Sequence, residues 1–206
     1  MTNLSRRRFL GAGAAVVAGT GAGVACGGGG SGDGASDTTT AAVPALTGDV
    51  AVANLVAGLE NLVLDIYDAL LAAASAGRLG DVPAVVGAIV ATARAQHIEH
   101  LAVWNQVLQA GGKPAVNEAD AGLKPTLDSR LAQVVDVGGA ARLALLVEEI
   151  LADTYLKAIP TLADPESVRA AALMLATDQQ HCALLRYALG EVPVPEAVQI
   201  PDKAAS

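Results

Sequence analysis

The chain has 206 residues, of which 52% are hydrophobic and only 2% aromatic, and its net charge is −8 at pH 7. This acidity disfavours nucleic acid binding and a polybasic contact with lipids, and it is compatible with attracting cations. The length suits one domain with a sizeable core. Because that core must be built mainly from Ala, Leu and Val, close-packed helices are favoured over a sheet.

The first residues resemble a bacterial twin-arginine (Tat) export signal. Arg6 and Arg7 stand in the run Ser-Arg-Arg-Arg-Phe-Leu, and residues 11–25 form a short run of Gly, Ala and Val. That run is too short and too glycine-rich for a membrane span, whereas a basic segment before a short apolar run is typical of an export signal. The resemblance implies export of an already folded chain by the Tat translocase.

Cys26 follows the apolar run, with Ala25 before it as in a lipoprotein processing site, although Gly23 stands where such sites usually carry Leu. We expect lipidation of Cys26 and an anchor on the extracytoplasmic side of the cell membrane. The alternative is cleavage near Ala25, an unmodified cysteine and secretion. Residues 27–48 are rich in Gly, Ser and Thr, which predicts a flexible tether. Cys182 is the only other cysteine, so no intramolecular disulfide is expected.

Two antiparallel helices are predicted next, at about residues 49–76 and 81–110, because the break between them is short. The apolar stripe of the first contains Glu60, a carboxylate whose burial is costly unless it is paired or metal-bound. The second carries His97 and His100, which are three residues apart and therefore share its apolar face. Two imidazoles directed into a bundle interior suggest metal ligands.

A long connection, residues 111–136, follows the second helix and is long enough to cross the bundle from end to end. We expect one short helix within it, starting at Asp128. The third long helix is predicted over residues 137–159. On a helical wheel Glu148 falls on its apolar face, whereas Asp153 falls on its polar side.

The fourth long helix is predicted over residues 165–189, with Asp164 as its cap and a proline at its first position. Asp178 and His181 are three residues apart on its inward face. The remainder, residues 191–206, contains three prolines and predicts an extended tail over the surface.

Each predicted long helix thus carries ligand-type side chains on its apolar face, near its middle, where antiparallel packing brings them level. The set includes every histidine of the chain: Glu60, His97, His100, Glu148, Asp178 and His181. The pattern resembles the ferritin-like superfamily, all-α antiparallel four-helix bundles with a long crossover between the second and third helices. With the leader, it is similar to exported bacterial ferritin-like domain proteins.

In that superfamily, one Glu from each of two helices and a Glu-x-x-His pair from each of the other two bind two metals. The resemblance implies metal ligands at four matching positions: Glu60, His100, Glu148 and His181. His97 and Asp178 stand where the family has bridging glutamates. Histidine is a poor bridge and aspartate is one methylene shorter, so a single metal or an asymmetric pair fits better. The ligand types suit iron, which we favour, or manganese or zinc, and the spacing cannot select among them.

Two functions are consistent with these residues. The first is an exported, lipid-anchored ferritin-like metal-binding protein that oxidises Fe(II) or handles peroxide at the cell envelope. The alternative is a non-enzymatic binding or structural module of the envelope with a degenerate metal site. In that state the carboxylates and histidines would form a buried hydrogen-bond network with Tyr67 or Tyr155 nearby. Cys182 is expected to be a small core residue rather than a soft ligand.

These expectations divide the chain into four parts. They are a signal with a lipidation site at 1–26, a linker at 27–48, a ferritin-like bundle at 49–190 and a C-terminal tail at 191–206.

Overall fold

A computed structural model of the protein describes residues 47–205, and all regular structure in this part is helical. The long helices are α1 (Gly48–Ser75), α2 (Ala84–Ala110), α4 (Val137–Ala158) and α5 (Pro165–Ala188). A short helix, α3 (Lys124–Leu131), lies in the connection, and a 3-10 turn (Ile159–Thr161) follows α4. The predicted all-α bundle of four long helices is confirmed.

The helix directions follow from one contact at the start of α1. The Asp49 carboxylate accepts hydrogen bonds from the backbone N–H groups of Ala163 and Asp164, both at 2.8 Å, in the connection between α4 and α5. The start of α1 therefore meets the end of α4 and the start of α5. Because a short break reverses the chain between α1 and α2, α1 and α5 run one way and α2 and α4 the other.

The connection between α2 and α4 must then cross the length of the bundle, as predicted. Val116 ties it to two helices, since its carbonyl accepts from Asn61 Nδ2 of α1 at 3.1 Å and its N–H donates to Asn105 Oδ1 of α2 at 2.8 Å. The short helix begins earlier than predicted, so Asp128 lies in its middle rather than at its start.

Side-chain caps explain where two of the long helices begin. Asp164 caps α5 and Asp136 caps α4, each accepting from the backbone N–H three residues later. The start of α2 predicted at about residue 81 is three residues too early. Pro83 has extended backbone angles, so α2 begins only at Ala84 and has no side-chain cap.

The core lies along the bundle axis and is mainly aliphatic. By length and composition alone α1 could cross a membrane, but more than half of its most apolar window is buried inside the bundle. It is therefore a core helix of the bundle, as is α4. The largest fully buried apolar side chains come from three of the long helices and include Leu59, Ile66, Trp104, Leu108 and Leu151.

The C-terminal segment is non-helical and packs on α4. Gln199 Nε2 and the backbone N–H of Lys203 donate to the two Asp153 carboxylate oxygens at 2.8 and 3.0 Å, and the N–H of Ala205 donates to Thr154 Oγ1 at 2.9 Å. Asp153 is therefore buried beneath the tail rather than exposed on the polar side of its helix. A helical wheel of α4 alone cannot show this cover.

Candidate metal centre

The six side chains singled out in the sequence meet in the middle of the bundle. The four that lie deepest are fully buried: Glu60, His97, Glu148 and Asp178. His181 and His100 are 5% and 8% exposed, so the small opening to solvent lies where α2 faces α5. The α2 and α5 helices also pack more sparsely against each other than α1 packs on α2 or α4 on α5.

His97 stands at the centre of the group, between two carboxylates. Its Nδ1 lies 2.8 Å from Glu60 Oε2 and its Nε2 lies 3.0 Å from Glu148 Oε1. Burial acts to lower the pKa of His97, but the charges of Glu148 and Glu60 outweigh it and raise that pKa well above its usual range. In the metal-free protein, His97 is an imidazolium that donates to both carboxylates.

The same contacts keep both glutamates ionised. Burial acts to raise the pKa of each, but the charge of His97 and its hydrogen bond lower it. The pKa of Glu148 falls to about 2, and that of Glu60 also lies below its ordinary value.

Two tyrosines and a tryptophan hold the glutamates from the other side. Tyr67 of α1 donates to Glu148 of α4, and Tyr155 of α4 donates to Glu60 of α1 at 2.6 Å. Trp104 Nε1 in turn donates to the Tyr155 hydroxyl at 2.7 Å. The sequence analysis gives these tyrosines no definite role, although their spacing from the glutamates is a usable signal. Each stands seven residues, about two helical turns, after the glutamate of its own helix.

Asp178 differs from the two glutamates in the direction of its pKa shift and in its lack of hydrogen bonds within the described residues. Burial and the negative charge of Glu148 raise the pKa of Asp178 well above its usual range, against the opposing charge of His97. Neither of its oxygens has a hydrogen-bond partner among the described residues. Its Oδ1 lies 3.7 Å from His100 Nδ1 and 4.0 Å from His181 Nδ1, so both rings turn this nitrogen toward it.

These separations suit ligands around an ion better than hydrogen-bonded partners. Two donors that are each about 2.0–2.2 Å from one ion lie roughly 3–4 Å apart. Two overlapping groups, which share His97, have ligand atoms within 4.8 Å of one another. The first contains His97, Glu148, Asp178 and His181, and the second contains Glu60, His97 and His100. Imidazole and carboxylate donors suit iron, manganese or zinc.

Gln96 is a neighbour of the centre that sequence reasoning missed. Its Oε1 lies 2.6 Å from His181 Nε2, the ring nitrogen that points away from Asp178. Nothing in the sequence distinguishes it from any half-buried polar residue on α2. Cys182 is fully buried, burial raises the pKa of its thiol, and it belongs to neither group of candidate ligands, which fits a small core residue.

The predicted signal residues Arg6 and Arg7 and the predicted lipidation site Cys26 lie outside the described residues. Metal ligation by the six central residues also stays a prediction, since the structure gives their placement and not an ion.

One family comparison covers the whole bundle. Residues 48–191 match the family model of the ferritin-like domain. Among curated proteins and solved structures there is no significant match. The family match spans well over half of the chain and includes all four long helices and the six central side chains. The chain therefore belongs to the ferritin-like domain family.

Proposed function

We propose that this protein binds a metal ion at the centre of its bundle. The observation that carries the proposal is a set of five buried polar atoms that have no hydrogen-bond partner within residues 47–205. They are both oxygens of Asp178, Oε2 of Glu148, and Nδ1 of His100 and His181. Each unpaired buried atom costs about 1–3 kcal/mol. A cation among these donors removes that cost and also offsets the buried negative charge.

The donors form two halves with Asp178 between them. One half has Glu148 and His181, whose Oε1 and Nδ1 are 3.2 Å apart, and the other has Glu60 and His100, with the corresponding atoms 3.5 Å apart. His97 hydrogen-bonds to a glutamate of each half rather than occupying one half alone. This arrangement fits one ion, or two ions that are held unequally.

The chemistry we favour is oxidation of Fe(II) or the handling of peroxide. Bound iron or manganese would supply one-electron chemistry, and the chain supplies its surroundings. His97 holds a proton between two carboxylates, and the two tyrosines fix the orientation of those carboxylates. His100 and His181 are the two of the six central residues that retain slight exposure to solvent.

A non-enzymatic scaffold is the second candidate, and one observation favours it. The charges of Glu60 and Glu148 are already partly offset by His97 without any metal. A bundle of this kind could fold and dock at the envelope with its centre metal-free. The two functions differ in metal binding, which is therefore the property to test.

The replacement Asp178→Asn tests the metal proposal. It removes a carboxylate that lies between both halves while keeping the side chain the same size. Because Asp178 makes no hydrogen bond in the described part of the chain, the variant should fold. We expect its affinity for Fe(II) or Zn(II), measured by calorimetric titration, to fall by more than about 100-fold, since even an outer-shell partner is worth about 10- to 100-fold.

Glu99→Gln is the matched control, because Glu99 lies between the two histidines of α2 in sequence but is exposed. This variant loses the same charge and should bind metal like the wild type. Equal affinity in Asp178→Asn and in the control would contradict the proposal.

We also propose that the domain works outside the cytoplasm, exported by the Tat translocase and anchored through lipidated Cys26. The support is the Arg6-Arg7 pattern, the short apolar run after it and the Gly-rich linker. Arg6→Lys with Arg7→Lys should leave the precursor in the cytoplasm, as measured by fractionation and immunoblotting. Export of this variant at normal yield would refute the Tat assignment.

A further inference from the structure

We propose that Gln96 is a positioning residue that fixes the ring of His181, so that the half of the centre formed by Glu148, Asp178 and His181 takes up metal first. This inference rests on the proposed metal binding and adds a cause for inequality between the two halves. Gln96 is on α2 and reaches His181 on α5 across the seam between these helices.

The first step is the hydrogen bond between Gln96 and His181. With the Gln96 amide turned so that Oε1 faces the ring at 2.6 Å, this oxygen can only accept, and the hydrogen bond then needs a hydrogen on His181 Nε2. In the neutral ring the other nitrogen, Nδ1, then carries a lone pair. That atom lies 3.2 Å from Glu148 Oε1 and 4.0 Å from Asp178 Oδ1. Gln96 therefore sets both the tautomer and the direction of the lone pair that a metal needs.

The second step is the contrast with His100. The α2 and α5 helices are related by a nearly two-fold arrangement. Gln96 comes directly before His97 on α2, and its counterpart on α5 is Thr177, which comes directly before Asp178. Thr177 does not reach across the seam, because its Oγ1 donates to the Leu173 carbonyl of its own helix at 3.1 Å. Among residues 47–205, no hydrogen bond is found for either ring nitrogen of His100, so His100 has no counterpart of Gln96 that fixes its tautomer.

The third step concerns the two glutamates. Both oxygens of Glu60 are already occupied, one by Tyr155 and the other by His97. Glu148 Oε2 is free within the described part of the chain, because Tyr67 and His97 both bond to Oε1. The half that Gln96 fixes thus offers an oriented imidazole and a free glutamate oxygen, and both halves can use Asp178. In the other half, Glu60 must first release a hydrogen bond and His100 must adopt one tautomer before a metal can bind.

The test uses the full chain labelled with ¹⁵N-histidine, whose three histidines give three pairs of ring signals. In the metal-free wild type we expect His181 to show a single tautomer with hydrogen on Nε2, and His100 to show averaged signals. Gln96→Leu should average the His181 signals as well. Gln96→Glu should restore the single tautomer, because a carboxylate also accepts from Nε2. Gln106→Leu, at an exposed glutamine of the same helix, should leave the spectrum unchanged.

Zinc is then added below one equivalent as a diamagnetic probe. In the wild type, the ¹⁵N signal of His181 Nδ1 should shift at a lower zinc concentration than the signal of His100 Nδ1. In Gln96→Leu, the affinity for the first zinc should fall about 10- to 100-fold and the order should be lost.

A fixed His181 tautomer in Gln96→Leu would overturn the inference, as would earlier filling of the His100 half in the wild type. If the wild type binds no zinc, the proposed function fails and the loading order fails with it. The metal-free spectra still decide separately whether Gln96 fixes the ring.

Discussion

At the scale of single residues, the charge of residue 97 determines how much of the buried negative charge of the centre is offset without metal. The ferritin-like pattern has a glutamate there, which would add another buried carboxylate to Glu60, Glu148 and Asp178. Buried like charges without partners are strongly unfavourable, and a metal would have to offset all of them. As an imidazolium hydrogen-bonded to two glutamates, His97 offsets part of this charge within the chain itself. The centre should therefore be more stable without metal than an all-carboxylate centre.

This charge balance predicts how the stability of the metal-free protein depends on pH. The pKa of Glu148 is lowered to about 2 in the folded protein, from an ordinary value of 4.5. The stability that ionised Glu148 contributes is therefore fully present above pH about 5 and is lost as the pH falls toward about 2. Glu148→Gln removes a buried partner of His97, which costs about 3–5 kcal/mol near neutral pH.

We expect the difference in Tm between wild type and Glu148→Gln, measured by scanning calorimetry without metal, to be largest near pH 6. It should shrink steadily below pH about 4.5, where the Glu148 carboxyl of the unfolded wild type takes up a proton while that of the folded protein stays ionised. Glu118→Gln, at an exposed glutamate, controls for loss of one acidic group. A Tm difference that stays constant down to pH 3 would contradict the proposed pairing.

The inward positions of the six central residues could be predicted because each is a polar side chain on an otherwise apolar helix face. Gln96 could not be found in this way, since its partner His181 is on another helix and α2 alone gives it no special position. Asp153 was placed wrongly for a related reason. Its partners come from the C-terminal tail, and a single-helix pattern contains no information about a covering segment.

At the scale of elements, the helices were predicted well where local chemistry determines them. The Asp-Pro pair at the start of α5 acts as the expected cap and first residue. The start of α2 was predicted three residues too early, because Pro83 keeps extended angles. The α3 helix was placed too late, because its polar sequence has no clear apolar periodicity. The crossover was predicted from its length alone, whereas its fixed path depends on side-chain amides of α1 and α2 that bond to Val116.

At the scale of the whole molecule, the antiparallel arrangement makes the centre possible. Each ligand-type residue lies near the middle of its helix, so opposite helix directions bring α1 and α4 together with Glu60 and Glu148 at one level. The tyrosine of each helix then reaches the glutamate of the other. The α2 and α5 helices face each other in the same way, with His100 and His181 flanking Asp178 at the seam. The centre is thus a nearly two-fold arrangement that His97 and Gln96 make unequal.

The most direct test of the central claim is the metal content of the protein as the cell makes it. The chain should be purified without chelators after native export and measured by elemental mass spectrometry. Our account predicts about one or two equivalents of iron, manganese or zinc per chain, as expected for a ferritin-like centre with unequal halves. A fully folded protein with none of these metals would contradict it and leave the centre as a polar core that His97 holds together.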